Sequence, residues 1–359
     1  MAKILRFGQL HTKLIFLVLM ILFVFILFRK KEKPDNLMPD NLMPDNLMPD
    51  NLMPDNLMPD NLIMCQHDSK FLSSYPFSNV SKIIQEIETY GSTSNSVIND
   101  IFSLFHILIS PSKELPDDVI LLIMVKSAAN NFGYRNAIRS TWGSKKNSQI
   151  HVLFSLGYHR YIERGIRKEA SLYKDILQGS FVDEYRNNTL KTSMTYKWIG
   201  DSWRNCKYIL LVDDDYLVNI DETLQFVSSL QRNNTSSTMF GTMVKCWKPV
   251  RTMDDHKSYI TKEEYPWELY PPYLAGGSIL TTFDAVRKIS YAIPFVRKLS
   301  IDDLYIGIIA NFLGIRLIDD NRFTPKYQEK SKLNQFLCLH GFKESSLLEV
   351  WFYLQKDVD

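Results

Sequence analysis

The stretch Tyr208-Ile209-Leu210-Leu211-Val212-Asp213-Asp214-Asp215 decides how this chain reads. Its apolar half, bounded by polar residues and rich in branched side chains, has the character of a buried strand. Three carboxylates at the end of such a strand repel one another and are costly to desolvate. A positive partner is therefore expected, most simply a divalent metal held by hard oxygen ligands. In an open α/β sheet the carboxyl ends of the strands are also where ligands bind. A metal at that place points to a phosphate-bearing substrate.

Outward from this strand the pattern alternates. Val119 to Val125 reads as a central parallel strand, Arg135 to Trp142 as a helix and Ile150 to Leu156 as a second strand. Tyr161 to Asp175 and Leu190 to Trp203 have helical spacing, and Ser180 to Val182 is short and β-like. After the aspartates, Asp221 to Arg232 reads as a helix with Asp221 as its N-cap. Strands alternating with helices predict an α/β sheet built from crossovers. Neither a GxGxxG fingerprint nor a P-loop occurs, which disfavours a dinucleotide fold and a P-loop enzyme.

The 42 basic and 40 acidic side chains leave a net charge of +2, so there is no electrostatic case for a nucleic-acid partner. The N-terminus is predicted to stand apart from the globular part. Residues 14–28 are uninterrupted apolar sequence with basic residues on both sides. As a helix they reach about 22 Å, short of a ~30 Å hydrocarbon core. Snorkelling from Leu10 to Lys13 and a thin early-secretory bilayer close that gap. A cleaved signal peptide is the competing reading, but no small-residue cleavage site follows Phe28. The expectation is a cytosolic tail (1–13), an uncleaved transmembrane signal anchor (14–28), a stem (29–116) and a lumenal domain (117–359). The stem contains five PDNLM repeats and a closing PDNLI over residues 34–63, read as a semi-extended spacer. Beyond them come an amphipathic helical pattern at Val80 to Tyr90 and an apolar stretch, Ile101 to Ile109, able to pack on the domain. Glycosylation sequons begin at Asn79, Asn187, Asn233 and Asn234. Cys65, Cys206, Cys246 and Cys338 allow two disulfides in a secretory compartment, with three connectivities left open.

At Arg135-Asn136-Ala137-Ile138-Arg139-Ser140-Thr141-Trp142-Gly143 the chain resembles a known family. The likeness continues through Phe181 to Thr192 (FVDEYRNNTLKT), Lys207 to Asp215, Tyr270 to Gly276 (YPPYLAG) and Asp302 to Gly307 (DDLYIG). In that order and spacing the chain resembles the inverting β-1,3-glycosyltransferases of glycosyltransferase family 31. The resemblance implies a GT-A type nucleotide-sugar-binding fold with a central mostly parallel sheet flanked by helices, behind a signal anchor and stem. It also implies a single-pass type II Golgi membrane protein that uses a UDP-sugar and a divalent metal such as Mn2+.

The resemblance makes Asp215 the direct metal ligand, with Asp213 near the nucleotide ribose or reaching the metal through water, and His340 completing the coordination. It places Arg135, Arg139, Asp213, Asp214 and Lys191 at the donor. Arg135 and Arg139 are one helical turn apart and share a face, suited to phosphate or uracil oxygens and equally to structural ion pairs. For Lys191 the plain alternative is an exposed helix face, and for Trp142 core packing. The resemblance makes Asp303 the catalytic base and sets Tyr273, Gly276, Gly277 and Asp302 in the acceptor or sugar loop. Asp302 and Asp303 read equally as capping acids of the helix that follows. Ser278-Ile279 and Ser258 depart from the family's usual residues, which leaves sugar and acceptor specificity open.

The function expected is transfer of galactose or N-acetylglucosamine from a UDP-sugar to a glycan on a glycoprotein or glycolipid. A homodimer is compatible with that reading. The alternative is a non-catalytic lumenal chaperone or glycan-binding member of the same family, which has no need to keep both Asp215 and Asp303.

Overall fold

The computed structural model describes residues 79–111, 119–144, 148–202, 206–232, 236–252, 257–324, 326 and 330–356. The expected anchor, the repeats, Cys65 and the sequons at Asn233 and Asn234 lie outside them. Among the described residues no helix is long and apolar enough to cross a membrane.

The strands and helices, numbered along the chain, are α1 (Val80–Tyr90), β1 (Ile107–Ile109), β2 (Leu121–Lys126), α2 (Phe132–Ser140), β3 (Ile150–Tyr158), α3 (Glu163–Tyr173) and β4 (Ile176–Val182). They continue with α4 (Asn188–Ser202), β5 (Tyr208–Asp213), β6 (Tyr216–Val218), α5 (Ile220–Arg232), β7 (Thr238–Val244) and β8 (Tyr273–Thr282). The last are α6 (Phe283–Ala292), α7 (Asp302–Phe312), β9 (Arg316–Asp319), β10 (Phe323–Thr324), β11 (Cys338–His340) and α8 (Glu344–Lys356).

The main sheet has the order β1-β4-β3-β2-β5-β8-β7-β9. Its centre, β4-β3-β2-β5, is parallel, as the alternation of strands and helices predicts. The flanks bring in antiparallel pairs: β1 runs antiparallel to β4, and β8 antiparallel to both β5 and β7, while the edge strand β9 is parallel to β7. The sheet is therefore mixed, with β1 and β8 running against the direction that the other six strands share. The antiparallel β8 matters for the site, because its start meets the carboxyl ends of β2 and β5 at one place.

Both faces of the sheet are covered. Leu122 and Met124 of β2, with Ile209 and Leu211 of β5, pack into one cluster, together with side chains of α1, α4, α6 and α7. Leu121, Ile123, Val125, Leu210 and Val212 enter the other, with α2, α3, α5 and α8. The two-residue period of the strands explains this split, and burial on both faces explains why β5 reads as one continuous apolar run. Helix α4 is buried nearly all round, so it lacks the one-sided apolar stripe of a surface helix.

Part of the segment expected as stem is built into this body. Helix α1 buries Val80, Ile83 and Ile84 and ends at Gly91, whose φ of 76° suits a residue without Cβ. Strand β1 adds an edge to the sheet. Helix α5 is capped by Asn219 rather than Asp221: the Glu222 N–H donates to Asn219 Oδ1 at 3.3 Å, and Asp221 sits in the first turn. Cys206 and Cys338 are buried free thiols while Cys246 is disulfide-bonded, so a second disulfide among these residues does not form.

Candidate active site

Strand β2 ends one residue beyond its apolar run, at Lys126, and pairs in parallel with β5 so that Lys126 lies opposite Asp213. The Lys126 ammonium is 3.1 Å from Asp213 Oδ1, 3.4 Å from Asp302 Oδ2, and donates to the Gly276 carbonyl at 2.9 Å. Burial opposes its charge, but Asp213 and Asp302 outweigh burial and hold it well above the ordinary lysine range. Lys126 is the central site residue that sequence reading missed. The signal was a lysine closing a strand of otherwise apolar residues.

The three aspartates part company. Strand pairing stops at Asp213, so the alternation of an extended chain no longer governs Asp214 and Asp215. Asp213 faces Lys126, with 40% of its side chain still open to solvent. Asp214 turns inward and accepts from Ser127 Oγ at 2.6 Å and Asn131 Nδ2 at 3.0 Å. Burial raises its carboxyl, against the pull of those two donors.

Asp215 meets His340 because β6 pairs antiparallel with β11 across 125 residues of sequence. Its backbone carbonyl accepts from the N–H groups of Gly341 and Phe342, and its Oδ2 lies 3.1 Å from His340 Nε2. Asp215 Oδ1 is buried with no hydrogen-bond partner among the described residues. An orphaned carboxylate oxygen beside an imidazole nitrogen is a donor set that fits a divalent ion such as manganese. Among the described residues no group of three or more such side chains converges.

On the other side of Lys126, Asp302 and Asp303 open α7. Residue 301 is the N-cap and neither acid caps the helix. Asp302 accepts from Thr192 Oγ1 at 2.7 Å as well as facing Lys126. Burial works against its charge, yet Lys126 and Thr192 prevail and lower its pKa. Asp303 feels the Lys126 ammonium from farther away than Asp302 does. Its Oδ2 accepts from the Gly276 N–H at 2.9 Å and its Oδ1 from the Leu304 N–H at 2.8 Å. Burial first and the neighbouring Asp302 second push it up to about 6. A Cβ at residue 276 would stand 3.0 Å from Asp303 Cβ, and one at residue 277 would strike the Tyr216 hydroxyl. Both glycines are thus set by close approach. Tyr273 is buried beneath this loop, and Tyr185, 54% exposed, stands at the rim with its phenol raised to about 12 by burial and then by Asp302 and Asp303.

The arginines lie elsewhere. Arg135 is wholly buried, with its five N–H groups engaged by Glu169 (both oxygens), Ser127 Oγ, Ala128 O and Ala129 O. Arg139 forks onto Asp175, reaches Glu169 at 2.7 Å and stacks over Tyr173 and Phe154. The structure places both in an ion-pair network that anchors α2 to α3. Arg135 also supports the loop that carries Ser127, and so Asp214. Replacing Arg135 by Ala is expected to cost about 3–5 kcal/mol in an unfolding measurement, because Glu169 stays buried with one cation fewer. A loss under about 1 kcal/mol, the worth of a surface pair, would contradict that role.

Lys191 is buried, donating to Ser127 O at 2.9 Å and Asp183 Oδ1 at 2.8 Å. Asp183 also accepts from the N–H groups of Ala129 and Gly157, so it ties the loop after β2 to β3 and α4. Trp142 is core, its indole N–H on Tyr216 O. Asn79 is exposed at the start of α1. The Asn187 amide is tied to Val182 O and Glu184, and Thr189 of that sequon is buried.

Residues 133–321, more than half of the chain, match the family model described as Galactosyltransferase. The chain belongs to this family. Among curated relatives, it is 33% identical over 270 residues to Beta-1,3-galactosyltransferase brn of Drosophila melanogaster, covering 73% of this chain and 82% of that protein. It is 30% identical over 275 residues to Lactosylceramide 1,3-N-acetyl-beta-D-glucosaminyltransferase of Mus musculus, covering 71% and 70%. It is 28% identical over 244 residues to UDP-GalNAc:beta-1,3-N-acetylgalactosaminyltransferase 1 of Rattus norvegicus, covering 64% and 73%. The galactosyltransferase match spans Arg135, the aspartate triad, Gly276 and Asp303, and it stops short of His340.

Proposed function

We propose that this galactosyltransferase-family chain is an inverting β-1,3-hexosyltransferase of GT-A type. It transfers galactose or N-acetylglucosamine from a UDP-sugar to a glycan on protein or lipid, as a type II protein of the Golgi membrane. The observation that carries the reading is that one buried lysine joins the aspartates at the end of β5 to those at the start of α7. Asp215 with His340 lies two residues past Asp213, which contacts Lys126, and Lys126 and Gly276 lead on to Asp302 and Asp303 at the start of α7.

Direct displacement needs one base for the acceptor hydroxyl. Asp303 suits that task, since each of its oxygens accepts only one N–H bond and keeps a lone pair. It takes the hydroxyl proton as the acceptor oxygen bonds to the anomeric carbon. The bond from that carbon to the diphosphate breaks, and UDP departs with the electron pair. Asp215 and His340 would hold the divalent ion, which when bound would neutralise charge on the leaving diphosphate. Asp213 remains accessible beside them for the nucleotide. Tyr185 and the Gly276-Gly277 loop face the acceptor side. The relatives differ in the sugar they are named for, so the sugar is the finest part of the proposal.

The experiment is UDP release by the purified full chain with manganese, across UDP-galactose, UDP-N-acetylglucosamine and a panel of glycan acceptors. Release that depends on an acceptor with one of these donors is the expected result. A folded chain that binds glycan and releases no UDP with any donor would instead support the non-catalytic reading.

A further inference from the structure

Two adjacent carboxylates, Asp302 and Asp303, share one site, and of the two it is Asp302 that Lys126 contacts directly. Lys126 Nζ lies 3.4 Å from Asp302 Oδ2, an ion-pair contact, whereas Asp303 feels the same ammonium only from farther away. The three donors of Lys126 are directed at Asp302, Asp213 and the Gly276 carbonyl, and its side chain is 9% exposed. It has no donor left for a substrate. Gly276 closes the circuit: its carbonyl accepts from Lys126 while its N–H donates to Asp303 Oδ2. The lysine therefore acts on the two acids in different ways. It neutralises Asp302 directly, and it orients Asp303 through one residue whose missing Cβ lets the carboxylate approach.

We propose that Lys126 is a positioning residue that makes the pair unequal, claiming Asp302 as its ion-pair partner and holding the Gly276 N–H on Asp303. By also binding Asp213, it fixes the spacing between the donor-side and acceptor-side carboxylates. This rests on Asp303 as the base of the proposed reaction.

The test is a charge cycle in the full chain: Lys126→Met, Asp302→Asn and the double variant, with kcat, both KM values, UDP affinity and melting temperature recorded. Lys126→Met is expected to lower kcat about 100-fold, the cost of a misplaced reacting group, with UDP affinity little changed. Asp302→Asn is expected to cost less than about tenfold, since the base remains. The double variant is expected to regain about tenfold over Lys126→Met, because the uncompensated carboxylate beside the base is gone. A double variant no faster than Lys126→Met overturns the proposal. So does a Lys126→Met defect confined to UDP affinity, which would make the lysine a phosphate ligand. If Lys126→Met does not fold, Asp302→Asn still decides: a loss as large as that of Asp303→Asn makes Asp302 the base. Wild-type turnover by Asp303→Asn would remove the base assignment itself, a different failure from a missing rescue.

Discussion

Asp303→Asn is expected to lower the turnover number by about 10²–10⁴, the usual worth of a positioned general base, while leaving UDP binding intact. The substitution keeps the shape of the side chain and at least one acceptor for the N–H groups of Gly276 and Leu304. What it removes is the capacity to take a proton. In the wild-type chain the rate should rise with pH through about 6, where the raised carboxyl ionises, and level off above it. The stability argument has the opposite sign. A folded pKa above the unfolded one means that the native state binds the proton more tightly. Asp303 therefore favours folding at pH values below its unfolded pKa and loses that contribution as pH rises through about 6. Asp303→Asn should consequently be no less stable than the wild type above that pH. A variant that loses activity together with its melting transition would indicate a structural role only. A variant that turns over normally would end the base assignment.

How much of this was legible in the sequence depends on the range of the interaction. Strand β5 and the helix after it follow from local pattern, because a run buried on both faces can hardly avoid being apolar. Asp303 was reachable through the motif around it. The mixed sheet was not: nothing in the ten residues of β8 distinguishes an antiparallel insertion from another parallel strand. Arg135 and Arg139 show the limit of helical spacing. Their separation predicts a common face, and they do share Glu169, but only the fold says that this face meets α3. Lys126 was overlooked for a physical reason. Strand boundaries read from hydrophobicity stop where the apolar residues stop, while the ladder between β2 and β5 runs on to pair Lys126 with Asp213. Where a sheet's carboxyl ends form the site, that last residue is the one to examine.

The second large effect is expected at Asp215. An ion that neutralises the leaving diphosphate contributes several kcal/mol, so Asp215→Ala should lower turnover about 1000-fold or more. His340→Ala should fall less, because a carboxylate supplies charge and an imidazole only a lone pair. Activity alone does not separate a metal ligand from a structural contact, since Asp215 Oδ2 and His340 Nε2 are already within hydrogen-bond distance. Asp215→Asn makes the distinction. The amide keeps a polar contact with His340 and leaves the backbone carbonyl on the N–H groups of Gly341 and Phe342, so the pairing of β6 with β11 should persist. It removes the anionic oxygen that has no partner among the described residues. Calorimetric titration of UDP with and without manganese is the measurement. The wild type should bind UDP much more tightly with the metal, and Asp215→Asn should bind it equally weakly in both. A chelator should bring the wild type to the variant's level. If manganese tightens UDP binding in Asp215→Asn as it does in the wild type, the orphaned oxygen is not the metal's anchor, and the place of the ion moves toward Asp213.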